Sequence, residues 1–290
     1  MTHDPYTTPF ATRRHVLMGA AALLFAPFAP ALAAPAPAAP FASRRITVTV
    51  RGSGPDVVLI PGVASGPGIW NGVLTAVPGY RYHLVQVRGF AGLAADANES
   101  GPLIGPLVDE VARYITASAL ARPAIVGHSM GGTLAMLLAL RPAPTVGRVM
   151  VVDMLPDGAG MVGGTASGMG YLADQLGDYF TATAGGRRMF ADMLSNSPGA
   201  KGSDPDVIAN ALRELAHTDL GPRLPRIVVP LKIVYAVAAD AQERTGQMQR
   251  FRAAYASART AVLQPIGPSG HVIMADQPVR FAASLAAFLK

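Results

Sequence analysis

Ser129 stands in the run Gly127-His128-Ser129-Met130-Gly131, between the apolar Ile125-Val126 and a helix-forming stretch reaching Leu140. A serine hydroxyl is a weak nucleophile at neutral pH, so chemistry at such a residue needs a base beside it and an acid to orient that base. Gly-x-Ser-x-Gly between a strand and a helix supplies the exposed, sharply turned serine that this chemistry requires. The glycines are steric in purpose. A serine held at positive φ brings the residues two before and two after it into close approach, where Gly127 and Gly131 have no side chains to collide. The same turn aims the backbone N–H of Met130, at the start of the helix, toward an oxyanion forming near Ser129.

The base must come from six histidines. His3 and His15 fall in an N-terminal targeting stretch, His83 within an expected strand and His217 within an expected insertion, while His128 adjoins the serine but should point elsewhere. His271 follows the last expected strand in a Ser269-Gly270-His271 turn that can reach over the strand ends. Asp240, just beyond a strand end and between the serine and His271 in chain order, is expected to hold the imidazole. Asp153, at the end of the preceding strand, is the rival acid, with capping the entrance to the insertion as its other role.

These residues need a scaffold that brings strand ends together. Ile46 to Val50 alternates with period two, as in a half-exposed strand, whereas Val57 to Ile60 is continuously apolar, as in a strand buried on both faces. Further strands are expected at Tyr82 to Val87, Arg148 to Val152, Leu231 to Val237 and Ala261 to Leu263. Helices are expected around Trp70 and at Pro106 to Ala119, Met130 to Leu140, Ala241 to Tyr255 and Pro278 to Leu289. The alternation implies an α/β fold with a mainly parallel central sheet, helices on both faces and chemistry at the carboxyl ends of the strands. Between Leu155 and Pro230 the strand rhythm stops, and helical pieces at Asp174 to Ala182, Arg187 to Leu194 and Asp206 to His217 suggest a helical lid. Met154, Met161, Met169, Met189 and Met193 would give it either an adaptable apolar ceiling or, for most of them, ordinary core packing. The resulting organisation is a core of residues 46–154 and 231–290 with a lid at residues 155–230.

The N-terminus reads as an export signal over residues 1–33. Arg13-Arg14 precede an apolar run to about Leu32, and Ala31-Leu32-Ala33 offers a small-residue cleavage site. Pro27 and Pro30 break the run, so no stable membrane span is expected after cleavage. A Pro/Ala-rich tether over residues 34–45 follows. Localisation is therefore expected to be periplasmic or extracellular, in a bacterium. With no cysteine in the chain, disulfides, thiolate metal sites and a cysteine nucleophile are excluded. The net charge of +6 is carried by dispersed arginines without a basic stripe, which argues against a nucleic-acid partner. Gly158, Gly160 and Gly163 match a dinucleotide fingerprint, but more glycine follows where a helix should start, so no cofactor is expected.

On the Gly-x-Ser-x-Gly turn and the Ser129, Asp240 and His271 set, residues 45–290 resemble the α/β-hydrolase superfamily. The resemblance implies Ser129 as nucleophile, His271 as general base and acid, and Asp240 as the orienting acid. It also implies an oxyanion hole made by the N–H groups of Met130 and Val63. Pro61-Gly62 replaces the His-Gly that many members carry at this loop, which leaves the donor in place. The implied activity is hydrolysis of a carboxylic ester of a small, apolar acyl compound. Lactone, amide or carbon–carbon cleavage on the same fold, or a poorly catalytic ligand-binding protein, are the alternatives.

Overall fold

The computed structural model describes residues 41–141, 146–158 and 201–290. Strands β1 (Ile46–Gly52), β2 (Asp56–Ile60), β3 (Arg81–Val87), β4 (Ala124–His128), β5 (Arg148–Val152), β6 (Leu231–Ala236) and β7 (Ala261–Ile266) build one seven-stranded sheet in the order β1-β3-β2-β4-β5-β6-β7. Only β1 runs antiparallel, against β3; the other pairs are parallel. The continuously apolar strands take the middle, because a parallel sheet covered by helices on both faces leaves no wet side. The alternating β1 takes an edge, where Val50 is exposed. β7 continues through Pro265, further than its apolar residues suggest. As the opposite edge strand it tolerates a residue without an N–H.

Period-two side-chain alternation divides the core between the faces. Val58, Ile60 and Ile125 join one cluster, with Leu107 of α2 (Ile104–Ala117), Leu134 of α3 (Met130–Ala139), Val207 of α4 (Pro205–Ala216) and Phe251 of α5 (Ala241–Ala254). Val57, Leu59 and Val126 join the other, with Val73 of α1 (Asn71–Ala76), Ile273 of α6 (Ile273–Asp276) and Phe281 of α7 (Pro278–Leu289). Trp70 closes a 3-10 turn ahead of α1 and packs, fully buried, against Phe281 with ring centroids 6.4 Å apart. Burying a large apolar side chain contributes roughly 1.5–3 kcal/mol, so these two clusters hold the strand ends in place.

Part of the expected lid is described. α4 begins at Asp204, whose carboxylate accepts from the backbone N–H groups of Asp206 and Val207. Its Glu214 reaches α2, which has no side-chain cap of its own, and accepts from Leu103 N and Ile104 N at 2.7 and 2.8 Å. A carboxylate there also meets the positive end of the helix dipole. Met154 lies in the core rather than in a ceiling over the strand ends. The helices expected at residues 174–182 and 187–194, the other four lid methionines, the export signal and most of the tether lie outside the described residues.

Candidate active site

Ser129 follows β4 with φ 53° and ψ −122°, a strained turn for a residue with a side chain. The two motif glycines make the turn possible in different ways. A side chain at Gly127 would run into the Gly131 carbonyl, and one at Gly131 into the carbonyls of Ile60 and Pro61. Gly131 therefore allows the helix to approach the neighbouring strand end rather than residue 127. A Cβ on Gly62 would lie 2.9 Å from Ser129 Cβ, which brings the Pro61-Gly62-Val63 loop directly beside the serine. Among the described residues, neither Val63 nor Met130, both beside the serine, donates its N–H to a backbone carbonyl.

The parallel register brings the acid to the same level. His128 pairs with Val152 at the ends of β4 and β5, so Ser129 and Asp153 are the residues immediately after each strand. The Ser129 N–H donates to Val152 O, and Asp153, also at positive φ, donates its N–H to Val234 O. Asp153 Oδ1 accepts from Ala236 N at 2.9 Å, and Oδ2 lies 2.7 Å from His271 Nδ1. A carboxylate can only accept there, so His271 carries its proton on Nδ1, and Nε2 takes no part in this bond. Asp153 is nearly sealed, at 8% exposure, whereas His271 is 44% exposed. No hydrogen bond joins Ser129 Oγ to His271 among the described residues; such contacts commonly tighten only when substrate binds.

Asp240, expected as the orienting acid, is not the partner of His271. It is exposed, and its carboxylate accepts from Gln242 N and Glu243 N as the N-cap of α5. Those bonds hold its carboxyl below the ordinary aspartate range, with Glu243 N first among the causes. The signal was in the sequence. Asp240-Ala241-Gln242-Glu243 has an N-cap residue followed three positions later by glutamate, the pattern of a helix start. Asp240 also follows β6 by four residues, far enough to leave the sheet, whereas Asp153 follows β5 directly.

Supporting residues come from distant parts of the chain. Tyr255 is buried and donates its hydroxyl to Met154 O at 2.7 Å, bracing the residue after Asp153; burial raises its pKa well above the ordinary phenol value, so it remains a donor. Ser203 accepts from Ala91 N and donates to Ala64 O at 2.8 and 3.1 Å, tying the segment before α4 to the loop beside the serine. Neither residue carries a sequence signal, because each acts through a contact made only on folding. His83 lies near the amino end of β3, away from the carboxyl ends of the strands, and His217 is the exposed C-cap of α4. Among the described residues, no cluster of histidines and carboxylates suits a metal ion.

A mostly parallel seven-stranded sheet with a strained serine between β4 and α3 defines an α/β hydrolase. Residues 57–284 match the model of the alpha/beta hydrolase family, and the chain belongs to that family. It is 27% identical over 207 residues to a pimeloyl-(acyl-carrier protein) methyl ester esterase of Vibrio atlanticus, covering 64% of this chain and 77% of that protein. It is 24% identical over 234 residues to a 2-(acetamidomethylene)succinate hydrolase of Mesorhizobium japonicum, covering 80% and 77%. Among solved structures, an esterase from Exiguobacterium antarcticum shares the fold with a TM-score of 0.66 at 19% identity, over 84% of this chain and 95% of that one. An enol-lactonase from Burkholderia xenovorans does so at 0.61 and 20% identity, over 84% and 96%.

Proposed function

We propose that this α/β hydrolase is an exported serine hydrolase that cleaves carboxylic esters of small, apolar acyl compounds through an acyl-enzyme. The observation that carries the reading is the 2.7 Å contact from Asp153 to His271 Nδ1, with Ser129 directly after β4 as Asp153 is directly after the neighbouring β5. In this mechanism His271 Nε2 removes the Ser129 proton as Oγ attacks the ester carbonyl. The Met130 and Val63 N–H groups receive the developing oxyanion, and His271 returns the proton to the leaving alkoxide. Water, activated by the same imidazole, then releases the acid. Asp153 keeps the imidazole in the required tautomer and stabilises its charged form. Methyl or other small alkyl esters are the preferred substrates in this reading, supported by the likeness to a methyl ester esterase.

Export is supported by Arg13-Arg14, the apolar run after them and Ala31-Leu32-Ala33. Among the described residues, no helix is long and apolar enough to cross a membrane. The N-terminal sequence of the protein recovered from a periplasmic fraction should begin just after Ala33.

Activity is tested with nitrophenyl esters of two to eight carbons and with methyl esters, alongside Ser129→Ala. The substitution should lower turnover by a factor on the order of 10⁶. A native protein inert on every ester, or an equally active variant, rejects the reading. Activity confined to lactones or amides would keep the serine mechanism and replace the substrate class.

A further inference from the structure

His128 is the polar residue of the serine turn to which the hydrolytic mechanism gives no task. It is 3% exposed, and its Nε2 lies 2.9 Å from the main-chain carbonyl of His271. A carbonyl only accepts, so the proton sits on Nε2, and Nδ1 is left as a bare lone pair. Nδ1 is buried, has no hydrogen-bond partner among the described residues, and faces Gly62, where a Cβ would lie 3.0 Å away. The two imidazole rings are 4.6 Å apart at 47°.

The loop that carries His271 has other anchors, but they hold its approach. Asp276 accepts from Gly270 N at 2.8 Å, and Gln277 Nε2 donates to Pro268 O at 2.6 Å. The His128 bond reaches the peptide of His271 itself. Because His128 is covalently next to Ser129, one hydrogen bond spans the gap between the residue beside the nucleophile and the base.

On the serine-hydrolase reading above, we propose that His128 is a positioning residue. Its ring, held as the Nε2–H tautomer, fixes the main chain of His271 relative to Ser129 and backs the Gly62-Val63 loop. The surroundings keep it in that form. Burial first, and then the neighbouring His271, push its pKa down to about 3, against the opposing pull of its bond to the His271 carbonyl and of Asp153. When His271 takes up the serine proton, the ring beside it therefore stays neutral, and the bond to its carbonyl is undisturbed.

The test compares His128→Phe, which keeps a ring without the donor, with His128→Gln, whose side-chain amide can donate to the same carbonyl. Nitrophenyl ester hydrolysis and the rate of labelling by a fluorophosphonate probe are measured on each. His128→Phe should lose roughly 10- to 100-fold in kcat, with KM within about 3-fold. His128→Gln should recover to within about 5-fold of the native rate. Native kcat in a folded His128→Phe, or no recovery in His128→Gln, overturns the proposal. Nitrogen-15 NMR of the native protein decides the matter without a variant. A neutral Nε2–H tautomer of His128 from pH 5 to 8 supports the role, and a charged ring or an Nδ1–H tautomer overturns it. Failure of the serine reading is separate, because it shows as activity or labelling that survives in Ser129→Ala.

Discussion

Two histidine–carboxylate–hydroxyl sets occupy opposite ends of the same sheet. At the amino ends of the strands, His83 Nε2 lies 2.9 Å from Asp56 and Nδ1 lies 2.6 Å from the Tyr114 hydroxyl, while Arg81 binds Asp56 with two nitrogens. At the carboxyl ends, His271 meets Asp153 through Nδ1, and Ser129 follows β4, the strand beside the one that Asp153 follows. The residue types are nearly the same, but their saturation differs. His83 is 3% exposed with both ring nitrogens engaged, whereas His271 is 44% exposed and spends only one on its acid. The Arg81 hydrogen bonds, first among the causes, hold the Asp56 carboxyl below its ordinary range, and burial pushes the Tyr114 phenol above its own. A hydroxyl that is sealed in and harder to ionise is a structural donor. Ser129, by contrast, stands on a strained turn beside two amides that donate to no backbone carbonyl among the described residues.

The comparison can be broken most sharply at the acids. Asp153→Asn should reduce kcat by about 10⁴-fold by reversing the preferred tautomer of His271, with the fold intact by circular dichroism. Retained activity would remove Asp153 from the mechanism. At the other end, Tyr114→Phe should leave kcat/KM unchanged and cost about 1–3 kcal/mol of stability in denaturant melts, because it leaves a buried ring nitrogen without its partner. A lost activity there would show that the two ends are coupled.

Acid titration of stability gives a smaller effect. The folded pKa of His128, about 3, lies below the unfolded value of about 6.5. Below that unfolded value the unfolded chain binds a proton that the folded chain refuses. The contribution is therefore complete above about pH 6.5 and declines as pH falls toward 3, by at most about 1.4 kcal/mol per pH unit. Denaturant midpoints at pH 7, 6 and 5 should show this slope in the native protein, with a shallower one in His128→Gln. The smallest effect is expected for Asp240→Ala, which should lower Tm by a few degrees through loss of a helix cap and leave turnover unchanged.

What the sequence determined was local. Gly127 and Gly131 around Ser129, the apolar runs of β2 and β4 and the alternation in β1 follow from contacts among near neighbours, and they define the strand, turn and helix that present the serine. His271 was legible as the histidine after the last strand. The choice between Asp153 and Asp240 was made by tertiary structure, because both follow strands and both precede His271 in the chain. Only the register of β4 against β5 puts Asp153 level with Ser129, and only the helix start at Ala241 engages the Asp240 carboxylate. The contacts of His128 with His271, of Ser203 with Ala64 and of Tyr255 with Met154 span long stretches of chain. No local propensity encodes such pairs; they exist because packing two apolar faces onto one sheet brings those groups within hydrogen-bonding distance.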